Sequence, residues 1–208
     1  MNPLDKIAGT LIAGVVLTVV AVLLIHAMAP TPAGVGDVVQ IIGRWLHIAA
    51  GVTWIGLLYY FNFVQVPALA EAAADKGGPG GAGVTKYVAP RALLWFRWAA
   101  LATWLTGALY LMITPHLGFI HAFTLGFVPD GTWQDATIGL GAWLGTIMLF
   151  NVWMIIWPNQ KKILGIVPAT DEEKVKARRR AFLASRTNTM LSLPMLLCMV
   201  ASAHGLPF

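Results

Sequence analysis

Residues 44–67 read RWLHIAAGVTWIGLLYYFNFVQVP, and positions 45–66 of that stretch contain no Asp, Glu, Lys or Arg. Coiled as an α-helix, a run of this length rises roughly 33 Å, enough to cross a hydrocarbon core of about 30 Å. The stretch therefore predicts a membrane-spanning helix. It also carries one ionisable side chain, His47. An ionisable group inside a span is costly and is normally turned toward the protein interior, so His47 is a candidate functional residue. Arg44 lies one turn earlier on the same face and Trp54 two turns later, where it can line the same pocket.

The rest of the chain agrees with a lipid solvent. Of 208 residues, 58% are hydrophobic and 11% charged, against roughly 25% charged in soluble domains. The net charge of +5 does not describe a nucleic-acid face, because the Lys and Arg residues sit between the apolar runs. The single cysteine, Cys198, excludes an intrachain disulfide, and no C-x-x-C-H motif is present for attaching a c-type haem. Cys198 reads as a packed thiol.

Five spans are expected, at about 7–28, 44–67, 90–113, 136–157 and 187–204, making an all-α integral membrane bundle. The first is a retained helix rather than a cleaved signal, because its apolar run exceeds a normal signal core. Residues 29–36 and the glycine-rich stretch 70–89 read as loops; the latter lacks a phosphate-binding G-x-x-x-x-G-K-[ST] pattern. Residues 114–134 hold aromatics and histidines without Lys or Arg, the composition of an interfacial segment. Gly141 and Gly145 have the small-residue spacing that allows close helix contact. Thr170 to Glu173 has capping-box spacing and opens a polar helix, about 171–186, which continues into the fifth span, where Pro194 is expected to bend it.

Alternating spans place Lys6, Lys76, Lys86, Arg91, Lys161, Lys162 and the basic run 174–186 on one side, while residues 29–43 and 114–135 hold no Lys or Arg. The positive-inside rule then puts the N-terminus in the cytoplasm and the C-terminus in the periplasm. In that arrangement all five histidines fall toward the outer face. Imidazoles from separate spans are the usual ligands of a membrane haem b, and His47 and His204 match best in depth. His116, His121 and His26 are weaker metal-ligand candidates, for which contact with water and headgroups is the better account, while for His47 that account stands level with ligation. Toward the inner side, Asn62, Arg97, Asn151 and Asn188 come from four helices. They either hold an acidic or carbonyl-bearing ligand, with Arg97 as the charged fork, or serve as interhelical hydrogen-bond glue while Arg97 reaches for water.

Several blocks together resemble the urate oxidase N-terminal family, the membrane domain of bacterial membrane-bound urate hydroxylases. They are Arg44-Trp45-Leu46-His47 through Trp54-Ile55-Gly56; Trp95-Phe96-Arg97-Trp98 with Thr103-Trp104 and Gly107; Ile156-Trp157-Pro158-Asn159-Gln160-Lys161-Lys162; and Ala184-Ser185-Arg186-Thr187-Asn188-Thr189 followed by Leu191-Ser192-Leu193-Pro194-Met195 and His204. The likeness covers spans two to five and omits the first span and the glycine-rich loop. It implies a multi-pass protein of the bacterial inner membrane. In urate hydroxylases a C-terminal cytochrome c domain suits passage of electrons to the respiratory chain; with none in this chain, the expected acceptor is a separate periplasmic cytochrome c. A weaker likeness, through Arg-Trp-Leu-His and Trp-x-Gly, is to membrane haem proteins of the protoporphyrinogen-oxidase type. Three functions stay open: haem b electron transfer, a non-catalytic accessory subunit of a larger respiratory or photosynthetic complex, and urate oxidation with a separate cytochrome c.

Overall fold

The computed structural model describes residues 2–28, 34–114 and 118–205, and in these the elements are all helical. The chain divides into two compact units, Met1–Ile41 and Ile42–Phe208. In the first, helix α1 (Ile7–Met28) has no buried residue. In the second, four long helices make one bundle. Helix α2 spans Val35–Ala74, starting at the end of the first unit; α3 spans Val84–Ile113. The short α4 (Phe119–Phe123) follows. Then come α5, Trp133–Ile163, and α6, Asp171–His204.

Helices α1, α2, α3 and α5 are long and apolar enough to cross a membrane. The fifth expected span lies in α6 and falls short of them in apolarity, for a reason visible in its packing. Its buried face is built from Ala177, Ala181, Ala184, Asn188, Ser192, Cys198, Ala201 and Ser202, with Met195 the one long apolar side chain. Small and polar residues let helices approach closely and bond across their interface, so the residues that seat α6 also lower its hydropathy. Helix α1 keeps the bounds expected for it, whereas α2, α3 and α5 extend beyond theirs. The glycine-rich stretch, expected as a loop over 70–89, is shortened because helix continues to Ala74 and resumes by Val84.

Three of these helices widen into a π turn: Tyr60–Gln65 in α2, Val84–Val88 in α3 and Asn151–Ile156 in α5. Each widening ends two residues before a proline, at Pro67, Pro90 and Pro158. Proline has no N–H and its ring crowds the carbonyl one turn back; an extra residue in that turn relieves the clash. Helix α6 runs unbroken through Pro194.

The core lies where Trp54, Leu58 and Phe61 of α2 meet Leu93, Phe96 and Ala100 of α3, Met148 and Val152 of α5, and Ala184 and Met195 of α6. At one end of the bundle a second cluster joins Leu111, Ala122 and Ile138, with Met199 against it. It ties together the C-terminal ends of α3 and α6 and the start of α5. The short α4 is thus docked: Ala122 is fully buried, and its carbonyl lies where a Cβ on Gly139 would stand. Gly141 plays the equivalent part toward α6, since a Cβ there would come 3.0 Å from Cys198 Cβ, while Gly145 has open space.

Candidate functional site

His47 is half-buried on α2 and faces α3. Its Nδ1 lies 2.8 Å from the carbonyl oxygen of Thr103. A carbonyl only accepts, so Nδ1 carries the proton and donates it, leaving Nε2 with a free lone pair. This is the arrangement by which ligating histidines are oriented: one ring nitrogen donates to a backbone carbonyl, the other is presented to the metal. The ring rests over Gly107, where a Cβ would come 2.8 Å from His47 Cε1. One turn earlier, exposed Arg44 donates through Nε to the Tyr110 hydroxyl at 3.1 Å, with a second bond from Nη2, and its guanidinium lies 5.3 Å from the Tyr110 ring centre.

Trp54 is buried in the core at 2% exposure, and its indole Nε1 has no hydrogen-bond partner. His204 is exposed in the last turn of α6, an end fixed by a 2.6 Å bond from Gln134 Nε2 to the Ser202 carbonyl. His47 and His204 belong to the same end of the bundle, because the Leu111–Met199 cluster joins the adjoining parts of α3 and α6. No hydrogen bond among the described residues links the two imidazoles. His121 is half-buried on α4, His26 is exposed on α1, and His116 lies outside the described residues. Among the described residues no three His, Cys, Asp or Glu side chains group as a metal site.

The inner polar set resolves into a stripe along α6 read by two neighbours. Asn188, fully buried, accepts from Asn151 Nδ2 at 2.8 Å and donates to the Met148 carbonyl at 2.9 Å. One turn before it, Ser185 accepts from Asn62 Nδ2 at 2.8 Å, and Asn62 also donates to the Leu58 carbonyl. One turn after it, Ser192 shares a 2.9 Å bond with the Tyr59 hydroxyl. Both asparagines that reach α6 sit in π turns. Arg97 stands apart: its guanidinium stacks 3.8 Å from the centre of Trp157, and its backbone carbonyl accepts from Trp153 Nε1 at 3.2 Å. Sequence reasoning found the asparagines and missed Tyr59, Ser185 and Ser192. The i, i+3, i+7 spacing of Ser185, Asn188 and Ser192 was the available signal, and Thr103 and Gly107, four apart, face His47 by the same rule.

The site thus belongs to a class of apolar helical bundles with an oriented imidazole near one end and a satisfied polar layer deeper in. The sequence model of the urate oxidase N-terminal family matches residues 33–122 and 117–208, and the chain belongs to that family. The match takes in the glycine-rich loop and leaves α1 outside. No curated protein and no solved structure matches the chain.

Proposed function

We propose that this chain is a membrane-embedded haem b electron-transfer protein, similar to the membrane domain of urate hydroxylase, in the bacterial inner membrane. The observation that carries this reading is His47, whose proton is held on Nδ1 by the Thr103 carbonyl so that Nε2 is free to ligate. Haem b, when bound, supplies a one-electron couple. His47 would hold it from α2 and His204 from the same end of the bundle, and Arg44 would offer its charge to an acidic substituent. The apolar helices α1, α2, α3 and α5, with α6 as fifth span, would embed the site, and a periplasmic cytochrome c would accept the electrons.

A reduced-minus-oxidised visible spectrum of the purified protein, with pyridine extraction, tests this. The expected result is a six-coordinate, low-spin haem b. His47→Ala should give high-spin iron, carbon monoxide binding or loss of the cofactor, whereas His121→Ala should leave the spectrum unchanged. A normal low-spin spectrum in His47→Ala overturns the proposal.

One observation favours a second reading. Helix α1 is apolar along its length and has no buried residue, as suits an accessory subunit packed against a larger membrane complex. A protein purified without haem but with a stoichiometric partner would support that reading instead.

A further inference from the structure

We propose that the exposed face of α6 holds one anionic phospholipid, with its phosphate between Arg179 and Arg186 and an acyl chain along the apolar stripe that follows. The inference rests on the membrane-spanning reading above and adds a specific site to it.

Two observations meet here. First, Arg179 and Arg186 both approach the ring of Phe182, with guanidinium carbons 5.9 and 5.2 Å from its centre. Two like charges are thus gathered around one aromatic. Neither has an acidic neighbour: the ion pairs among the described residues join Lys162 to Glu173, Lys174 to Asp171 and Lys176 to Glu172. The acidic first turn of α6 is thereby engaged by lysines, and the two arginines are left to an outside anion. Guanidinium favours phosphate, which it meets with paired N–H donors.

Second, the same helix face changes character immediately beyond them. Met190, Leu193, Leu197 and Val200 are 60–65% exposed, and the i, i+3, i+4 spacing from Arg179 through Phe182 and Arg186 places them all on one stripe. Ala177, Ala181, Ala184, Asn188, Ser192, Met195 and Cys198 occupy the opposite, buried face. From residue 186 to residue 200 the helix rises roughly 21 Å, somewhat more than one leaflet of hydrocarbon at about 15 Å. A charged pair at the head of an apolar stripe of that length matches one phospholipid lying along the helix, headgroup on the arginines.

The test uses the full chain, solubilised in detergent and examined by native mass spectrometry while phosphatidylglycerol or phosphatidylcholine is added. The expected result is retention of phosphatidylglycerol at concentrations about five- to thirty-fold lower than phosphatidylcholine. Arg179→Gln with Arg186→Gln should erase that preference, while Arg178→Gln with Arg180→Gln, which removes the same charge from other faces of the helix, should keep it. Equal loss in both pairs would mean diffuse attraction to a basic surface and overturns the site, as does absence of preference in the parent chain or inorganic phosphate displacing the lipid at low millimolar concentration. Recovery in phosphatidylcholine nanodiscs, measured in parallel, reports membrane insertion separately: failure to incorporate at all overturns the spanning reading rather than the lipid site alone.

Discussion

His47 shows how much of a residue's chemistry is decided by one neighbouring backbone atom. The Thr103 carbonyl fixes the tautomer, and Gly107 makes room for the ring that the carbonyl orients. Adding a methyl group at Gly107 therefore tests the site without touching a ligand. In Gly107→Ala the new Cβ would stand 2.8 Å from His47 Cε1, closer than packed carbons approach, so the ring must tilt away from Thr103. On the proposed haem-binding reading, haem content should fall several-fold while the far-ultraviolet circular dichroism stays unchanged. Full haem content with an unaltered spectrum would show that the ring position does not matter.

Among the elements, α6 decides the architecture, and its contact with α5 depends on Gly141. A Cβ on Gly141 would meet Cys198 Cβ at 3.0 Å, and that carbon, bonded directly to the α6 backbone, cannot rotate away without the helix shifting. Alanine improves on glycine in a helix by about 1 kcal/mol. Gly145→Ala, into open space, should therefore hold or raise the melting temperature in detergent, whereas Gly141→Ala should lower it. The reverse order would mean that these helices are not in close contact in solution. The polar end of α6 has its own signature. Glu173 is held below the usual carboxylate range, first by the Thr170 backbone N–H it accepts from and then by the charge of Lys162. A lowered folded-state value means that the cap stabilises fully above the ordinary value of 4.5 and that this contribution is lost as pH falls through the folded value. Glu173→Gln should accordingly remove part of the acid-induced loss of stability below about pH 4.5. An identical acid profile in the two proteins would rule the cap out as its source.

In the second unit as a whole, charge is segregated by end. Thr85, Lys86 and Pro90 at the start of α3 line one cavity with Ile163 at the end of α5 and Leu164 and Ile166 just beyond it, so the two Lys- and Arg-bearing connections share an end. Helix α4, in a segment whose sequence bears no Lys or Arg, packs at the other with the end of α6. On the proposed membrane-spanning reading, the positive-inside rule assigns the basic end to the cytoplasm. Cysteine labels at positions 78 or 168 in a Cys198→Ala background should be reached only after the membrane is made permeable, and a label at position 130 should be reached from outside. Labelling of both basic loops in intact cells would reverse the orientation.

The sequence by itself determined the four long apolar helices, because a helix satisfies its own backbone N–H and C=O groups and the length and composition of an apolar run are read off directly. It also determined that His47 needed a reason to be where it is, since an ionisable group inside such a run is conspicuous whatever surrounds it. Partnerships were decided only by tertiary structure. Asn151 with Asn188, Asn62 with Ser185 and Tyr59 with Ser192 lie 37, 123 and 133 positions apart, and no local pattern says which faces of which helices will meet. The same limit explains why Thr103 was passed over. What it offers His47 is its main-chain carbonyl, an atom that every residue carries and that only the packing of α3 against α2 brings within reach.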